Sequence, residues 1–433
     1  MFKVFANAWK IEDLRKKILF TAFIILLFRI GSAIPVPFLD TEAVNNLFSQ
    51  YAEDNNIFSF FNTMAGGAMD QASIFSLSIS PYINASIIMQ LLAVAIPALE
   101  RKMKDDPAGG QKFMDKWTRL LTVILGVVLG FGYYTVLLNA DQYKVVSENA
   151  GVFGAIVITA VFAAGAMVVM WLGDLISAHG VGNGISMILF AGIVARGPAL
   201  AAQARFLVMS EKLGWLLLLA VILIVLLSVV FVVFMTHGER RIPVQYAKKV
   251  VGRKMYGGQN THIPLKVNMT GVMPIIFAQS FVVLPATIMN FFPKLSKTWF
   301  QHVVNAMNVG GWVYTLLMFL LIIFFSYFYT VISFNPIEVA SNLKKNGGFI
   351  MGIRPGKPTS DYITKTLNRV TLIGALFLGI IAALPSFAAM FNESLRGFAI
   401  GGTSLLIVVG VAIETVRTLE SQMLMRHYKG FLE

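Results

Sequence analysis

Lysine and arginine are the residues whose grouping in this chain most clearly indicates a chemical role. Seven of them lie within residues 237–270, where Glu239 is the single acidic residue. Several stand as adjacent pairs, including Arg240 with Arg241 and Lys248 with Lys249. Such a surface suits phosphate-rich RNA or an acidic protein partner. Loops that orient a membrane protein also retain lysine and arginine, so orientation alone is the competing interpretation.

A second basic segment covers residues 333–368 and carries five lysines and arginines. Arg354 lies there within the sequence Gly-Ile-Arg-Pro-Gly, whose glycines and proline predict a turn-rich, ordered tip. We therefore take the following residues as candidates for docking a partner: Arg240, Arg241, Lys248, Lys249 and Arg354.

Residue types that carry catalysis or bind metals are sparse. The chain has no cysteine, which excludes disulfides, thiolate nucleophiles and cysteine-based metal sites. Its five histidines are scattered and form no H-x-x-x-H pair. A phosphate-binding G-x-x-x-x-G-K-[ST] loop is absent, because Lys357 is followed by Pro358, and no H-E-x-x-H or G-x-S-x-G motif occurs. We expect no enzyme activity, no metal and no cofactor.

Hydrophobic stretches dominate the chain, which is 57% hydrophobic and 13% charged with a mean hydropathy of +0.72. This composition is typical of a helical membrane protein rather than a soluble domain. A membrane-spanning helix needs about 20 mostly apolar residues. Ten stretches qualify, namely residues 18–34, 74–97, 117–138, 152–172, 185–202, 213–235, 271–292, 312–332, 370–390 and 398–415.

Basic residues concentrate in alternate gaps between these stretches. The N-terminal segment, the second, sixth and eighth gaps and the tail hold 24 lysines and arginines, and three more lie at adjoining helix ends. The opposite gaps hold seven. By the positive-inside rule, both termini are predicted to face the cytoplasm. Residues 1–17 are amphipathic and are predicted to anchor the N-terminus at the membrane interface.

Ionisable groups are almost missing from the predicted spans. Arg29 lies toward the outer half of the first span, and Glu414 lies at the inner end of the tenth. Ion-coupled transporters usually place titratable groups near the bilayer midplane. The near-absence of such groups counts against a secondary transporter of a small solute, built as an inverted repeat, which is the first alternative function. A scaffold or insertase without a conducting pore is a second alternative.

Two short sequence echoes link spans that are five apart. Ser-Pro-Tyr-Ile opens the second span and Met-Pro-Ile-Ile the seventh, while Gly-Asn-Gly-Ile-Ser leads the fifth and Gly-Gly-Thr-Ser the tenth. Five helices per half make the second half inverted relative to the first. The predicted fold is an all-α polytopic membrane protein with ten transmembrane helices in two inverted halves. These halves are residues 18–207 and 208–417, followed by a cytoplasmic tail, residues 418–433.

Residues 56–73 are too polar to span a membrane, yet they carry phenylalanine and methionine side chains around Gly66 and Gly67. They are predicted to form a short half-helix buried among the spans, which is tolerated only where protein or water surrounds it. An interfacial loop outside the membrane is the alternative.

Aliphatic residues occupy suggestive positions in four spans. They are Ile83 with Ile87 and Ile185 with Leu189, each pair spaced i,i+4 on one helix face, together with Ile276 and Ile407. Such residues usually contact lipid or neighbouring helices. A hydrophobic constriction that gates by dewetting is the functional alternative, and the residues alone do not choose between the two.

Five segments, in this order along the chain, resemble the SecY family of protein-translocation channels. They are SPYINASII at residues 80–88, HGVGNGIS at 179–186, THIPLKVN at 261–268, GIRPG at 352–356 and GGTSLLI at 401–407. The resemblance covers essentially the whole chain. It implies an hourglass pore between the two halves and a passive, protein-conducting channel in a bacterial plasma membrane.

The resemblance also implies roles for individual residues. The pore ring comprises Ile83, Ile87, Ile185, Leu189, Ile276 and Ile407, where the family mostly has isoleucine, and the plug helix, about residues 57–73, includes Phe61, Met64, Gly66 and Gly67. Spans two and three against seven and eight match a lateral gate that opens toward lipid for signal sequences and membrane segments. Arg240, Arg241 and Arg354 match loop arginines that contact the ribosome or the SecA motor. Small SecE-like and SecG-like subunits are the further partners implied.

Overall fold

The structure is a computed structural model that describes residues 2–53, 62–139, 145–147, 151–210, 214–246, 249–251, 254–256, 260–269, 271–291, 299–307, 311–391 and 401–429. The helices of the first half are α1 Phe2–Lys10, α2 Glu12–Gly31, α3 Thr41–Glu53, α4 Ser80–Ala95, α5 Pro97–Asp105, α6 Pro107–Leu138, α7 Gly151–His179, α8 Gly184–Ala195 and α9 Gly197–Ser210.

The second half combines helices with short strands. Its helices are α10 Gly214–His237, α11 Met273–Phe291, α12 Trp299–Ala306, α13 Trp312–Ser333, α14 Pro336–Lys345, α15 Lys357–Phe391 and α16 Gly401–Lys429. Its strands are β1 Glu239–Tyr246, β2 Lys249–Val251, β3 Lys254–Tyr256, β4 Asn260–Lys266 and β5 Gly348–Ile350.

Each of the ten predicted spans overlaps one of these helices, which confirms a polytopic all-α membrane protein. Within the described ranges, five helices are long and apolar enough to cross a membrane by themselves, namely α6, α7, α10, α13 and α15. The bent pair α4 and α5 provides a sixth if it is one span, while α8 and α11 are shorter apolar helices. The number of ten crossings and the division into two inverted halves stay predictions.

The second predicted span, residues 74–97, differs from the structure at both ends. Residues 74–79 form turns, and α4 begins only at Ser80 with Pro81 in its first turn. α5 then begins at Pro97 and is bent by 98° from α4. Proline has no backbone N–H and crowds the preceding turn, so a helix cannot continue straight through Pro97.

A small antiparallel sheet occupies the region predicted as basic loops. β1 lies between β4 and β5, with Glu239 opposite Lys266 on one side and Val244 opposite Ile350 on the other. β2 and β3 form a separate hairpin. Because β5 comes from residues 333–368 and β1 and β4 from residues 237–270, the two basic loops form one structural unit. These strands were not predicted from the sequence.

The main hydrophobic cluster joins helices from both halves. Its fully buried members include Phe28 of α2, Ile188 of α8, Phe277 of α11 and Phe325 of α13. Lipid is as apolar as these side chains, so close van der Waals contact rather than the exclusion of water holds such helices together. Small residues permit that contact: a Cβ on Gly130 of α6 would lie 3.2 Å from the carbonyl oxygen of Thr159 in α7, closer than an ordinary contact. At Gly126 of α6, in contrast, a Cβ would lie 3.6 Å from the Cα of Ala163, an ordinary contact distance.

Gly165 of α7 provides a test of this packing. A Cβ at this position would overlap the carbonyl oxygen of Ile74, whose N–H donates to Ile34. We expect Gly165→Ala to lower the free energy of unfolding by about 1–3 kcal/mol, since overpacked sites cost that much. The matched variant Gly126→Ala has room for its methyl group and should be neutral or slightly stabilising. Thermal unfolding of both variants in detergent, followed by tryptophan fluorescence, measures the difference; equal melting temperatures would contradict the packing described.

Candidate functional site

The six aliphatic residues predicted to form a ring meet in one buried cluster. α4 and α8 supply two each, and α11 and α16 supply one each. The exposed fractions are 8% for Ile83, 4% for Ile87, 1% for Leu189, 5% for Ile276 and 1% for Ile407. Ile185 is half-buried and packs against the same cluster. Four helices from both halves of the chain therefore contribute these side chains to one buried cluster.

Helix starts position these side chains. The Asn183 side chain accepts hydrogen bonds from the backbone N–H groups of Ile185 and Ser186, at 3.1 Å and 3.3 Å, and so caps α8. Gly184 lets α8 approach α7, because a Cβ there would overlap the Gly173 carbonyl. The cap fixes where α8 begins, and the helical spacing then places Leu189 one turn beyond Ile185 on the same face.

Two cavities, each lined by both polar and apolar side chains, reach this cluster from the side predicted to face the cytoplasm. One has a volume of about 350 Å³ and is lined by four ring residues, Ile83, Ile185, Leu189 and Ile276, together with polar side chains that include Gln111 and Asp115. The other, of about 450 Å³, is lined by residues that include Lys266, Glu414 and Arg417. Asn183, Ser186 and Met273 line both cavities, so the two adjoin. Cavities of this size and polarity can hold water.

The predicted plug segment packs against α8 at Gly192, on the C-terminal side of the predicted ring residue Leu189. Met64 is 6% exposed and belongs to the same cluster as Leu189. A Cβ on Gly192 would stand 2.5 Å from the Met64 carbonyl oxygen, and one on Gly66 would stand 2.9 Å from the Gly192 Cα. Because Gly192 is three residues after Leu189, the segment covers the helix face that carries the ring.

The described part of the plug is less helical than predicted. Residues 62–64 are helical, and residues 65–79 form successive turns. Gly66 and Gly67 have φ values of 70° and 83°, in the left-handed region that favours glycine and ends a helix. Phe61, with residues 57–60 of the predicted half-helix, lies outside the described residues.

Polar contacts hold the predicted plug segment in its conformation and against α2 and α6, and they were not predicted from the sequence. The Asn62 side-chain oxygen accepts hydrogen bonds from the backbone N–H groups of Met69 and Asp70. The Tyr133 hydroxyl of α6 donates to the Met69 carbonyl at 2.9 Å. Arg29, which stood out only as a charge inside an apolar stretch, donates to the Gly66 carbonyl at 3.1 Å. No sequence pattern predicts the contacts of Asn62 and Tyr133, because each joins a side chain to the backbone of a residue that is not its neighbour in the chain.

The predicted docking residues surround the small sheet. Arg240 and Arg241 lie on β1 and are exposed, and Arg354 is exposed four residues after β5 ends at Ile350. Lys249 begins β2, while Lys248 lies outside the described residues. A hydrophobic cluster holds the unit together; its members are Ile242, Val244, Leu265, Leu343, Ile350, Ile363 and Leu367.

Glu239 moderates the charge of this surface. Its carboxylate accepts a hydrogen bond from Arg241 Nε at 2.6 Å. This hydrogen bond holds the pKa of Glu239 below its usual value, so the carboxylate stays charged near neutral pH. Glu239 therefore compensates part of the Arg241 charge, and the basic character of the surface rests on its other cations.

A comparison with known protein families decides the relationship. The family model described as SecY matches residues 73–416. The chain belongs to the SecY family. A SecY protein of Streptomyces coelicolor, named protein translocase subunit SecY, is 44% identical over 442 residues, with 100% of each chain covered. The SecY protein of Thermotoga maritima, which carries the same name, is 42% identical over 438 residues, covering 100% of this chain and 98% of that one.

Solved structures agree with the SecY fold. A structure described as a protein-conducting channel superposes with a TM-score of 0.65 and 18% identity, covering 94% of this chain and 92% of that one. Sec61 in a canine ribosome–channel complex superposes with a TM-score of 0.60 and 16% identity over the same shares. At these identities the likeness concerns the fold alone. A solute transporter, the alternative from the sequence, finds no support among these relatives.

Proposed function

We propose that this chain is the channel subunit of a protein translocase, which passes unfolded polypeptides across a membrane and releases membrane segments sideways into lipid. The observation that carries the proposal is the meeting of six aliphatic residues from four helices between polar cavities and a plug segment. Membership of the SecY family, whose relatives are named translocase subunits, supports the same conclusion.

The chemistry of the ring suits a substrate of arbitrary sequence. Aliphatic side chains offer neither charges nor hydrogen bonds, so they do not trap any particular passing residue. They can close around an extended chain and limit the leakage of ions. A charged side chain pays about 2.5–3.5 kcal/mol at the centre of a membrane helix. Polar cavities that lead to Ile83 and Ile276 keep the dry part of the path short.

Residues 62–73 act as the plug in this proposal. With Met64 against Gly192, the segment covers the ring on the side opposite the polar cavities. A translocating chain must displace Met64 and its neighbours before it can pass. The plug thus keeps the idle channel closed to ions.

Sideways release uses the seam between α4 and α6 on one side and α11 and α13 on the other. α11 packs against both α6 and α13. Gln279 of α11 shares hydrogen bonds with the Tyr314 hydroxyl of α13, which keeps these two helices together as a pair. Separation of this pair from α4 and α6 would open the path to lipid for signal sequences and membrane segments.

The driving force comes from a partner, and the chain itself catalyses no reaction in this proposal. We place the chain in a bacterial plasma membrane with both termini in the cytoplasm, as the distribution of lysine and arginine predicts. The sheet unit with Arg240, Arg241 and Arg354 then projects toward the cytoplasm. It would dock a ribosome, through phosphate contacts to rRNA, or the SecA motor. SecE-like and SecG-like subunits complete the complex.

Crosslinking tests the proposed path. A photoreactive amino acid replaces Ile83 or Ile276 in the complex, and a secretory precursor is stalled during translocation. We expect crosslinks from both positions, because the chain must pass between them. Leu223 and Leu227 of α10, which are 53% and 59% exposed and lie outside the seam, serve as matched controls and should give none. A precursor that reaches the controls but neither ring position would contradict the channel.

Charge reversal tests the docking unit. Arg354→Glu should slow the initial rate of translocation by about tenfold, since a reversed charge repels an acidic or phosphate-rich partner. The control Arg101→Glu reverses an exposed charge at α5, outside the unit. Partner binding and translocation are measured in proteoliposomes holding equal amounts of folded protein. A normal translocation rate for Arg354→Glu, or an equal loss of rate in both variants, would contradict a role of Arg354 in docking.

A further inference from the structure

Two arginines, from two different helices, contact the plug segment. Arg29, in the last turn of α2, donates from Nη1 to the Gly66 carbonyl at 3.1 Å. Arg196, which caps the C-terminal end of α8, donates from Nη1 to the Thr63 hydroxyl at 3.2 Å. Its Nη2 lies 3.9 Å from the Asp70 carboxylate. The plug is therefore tied to α2 and α8 by charged groups as well as by the close approach to Gly192.

The Arg196–Asp70 pair is shielded from solvent. The side chains are 20% and 23% exposed. Charges attract more strongly in such surroundings than in water, and an ion pair that loses one member leaves a costly buried charge. Asp70 also accepts a hydrogen bond from the Asn62 side-chain amide at 3.1 Å. Asn62 and Asp70 therefore join the two ends of the plug turn, and Asp70 in turn pairs with Arg196.

Neither arginine is needed to build its own helix. Arg29 and Arg196 stand at the C-terminal ends of α2 and α8, where any cation interacts favourably with the helix dipole. A lysine would serve that purpose equally well. Within the described part of the chain, the polar side-chain contacts of both guanidinium groups are made to residues 63–70. Their placement therefore points to the plug rather than to helix stability.

We propose that Arg29 and Arg196, with Asp70, form an ionic latch that holds the plug closed and sets how often the idle channel opens by itself. The inference rests on the proposed function of residues 62–73 as a plug. Opening the plug breaks the contacts to Gly66, Thr63 and Asp70 together. Without these contacts, the segment is held by the packing of Met64 and by the hydrogen bond from the Tyr133 hydroxyl to the Met69 carbonyl.

Two quantities report how often the latch opens, namely the resting ion leak and the solvent exposure of the plug. The purified complex is reconstituted in proteoliposomes, and its resting ion leak is recorded. Because the chain has no cysteine, Met64→Cys provides a single thiol whose labelling rate reports exposure of the plug. We expect Arg196→Gln, Asp70→Asn and Arg29→Met each to raise both quantities by about tenfold, the factor that follows from losing one charge-assisted contact.

A charge exchange separates the latch from general damage. Arg196→Asp combined with Asp70→Arg restores opposite charges at the two positions and should return the leak most of the way to that of the parent protein. Arg205→Gln removes an exposed arginine of α9 and should leave the leak unchanged. A double variant that leaks as much as the single variants would overturn the ionic pair, as would unchanged leakage in every single variant.

A wedge at Gly192 distinguishes failure of the latch from failure of the plug itself. In Gly192→Leu the Cβ would stand 2.5 Å from the Met64 carbonyl oxygen, whereas in Gly197→Leu the Cβ would have no atom within 4 Å. If Gly192→Leu leaks and Gly197→Leu does not, residues 62–73 seal the channel and the arginine variants decide the latch. If Gly192→Leu, combined with Met64→Cys, speeds labelling of the thiol without any leak, the sealing role itself is wrong, and the latch falls with it.

Discussion

The structure depends on the closure of one aliphatic cluster by helices from both halves of the chain. Leu189 of α8 and Ile407 of α16 are each 1% exposed, so the waist of the molecule is as tightly packed as a protein core. No polar atom of these side chains holds the contact shut. In the proposed mechanism, the cluster parts and recloses without breaking hydrogen bonds, and other groups keep it closed at rest. We assign that restraint to the plug segment and its arginines.

The apolar character of the ring also explains why the charged residues proposed to bind a partner lie outside the helix bundle, on and beside the small sheet. In the proposed function the aliphatic ring supplies no driving force for translocation. The driving force must therefore come from a partner that binds elsewhere on the protein. The sheet formed by β1, β4 and β5 gives Arg240 and Arg354 a common rigid base. α15 carries two members of the cluster that packs against that sheet, Ile363 and Leu367, so the sheet rests on a helix of the main bundle.

Much of this arrangement could be predicted from the sequence. The length of the apolar stretches predicted the position of every long helix. Helical spacing placed Ile83 and Ile87 on one helix face, but only the family resemblance assigned them to a pore ring. The strands were not predicted because the basic loops were interpreted only by their charge and turn residues, whereas Ile242 and Val244 alternate with exposed residues as a half-buried strand does. The contacts of Arg29 and Arg196 could not be predicted at all. They join side chains to groups 37 and 133 residues away in the chain, and neither periodicity nor composition records such pairs.

The central claim concerns the path of a polypeptide through the waist, and one measurement tests it most directly. An electron cryo-microscopy structure of the complex, with a precursor stalled in transit, would show where the polypeptide runs. We predict density for an extended chain encircled by Ile83, Leu189, Ile276 and Ile407, with Met64 moved away from Gly192. A precursor lying elsewhere, while these four residues stay in mutual contact and Met64 still covers Gly192, would contradict the account.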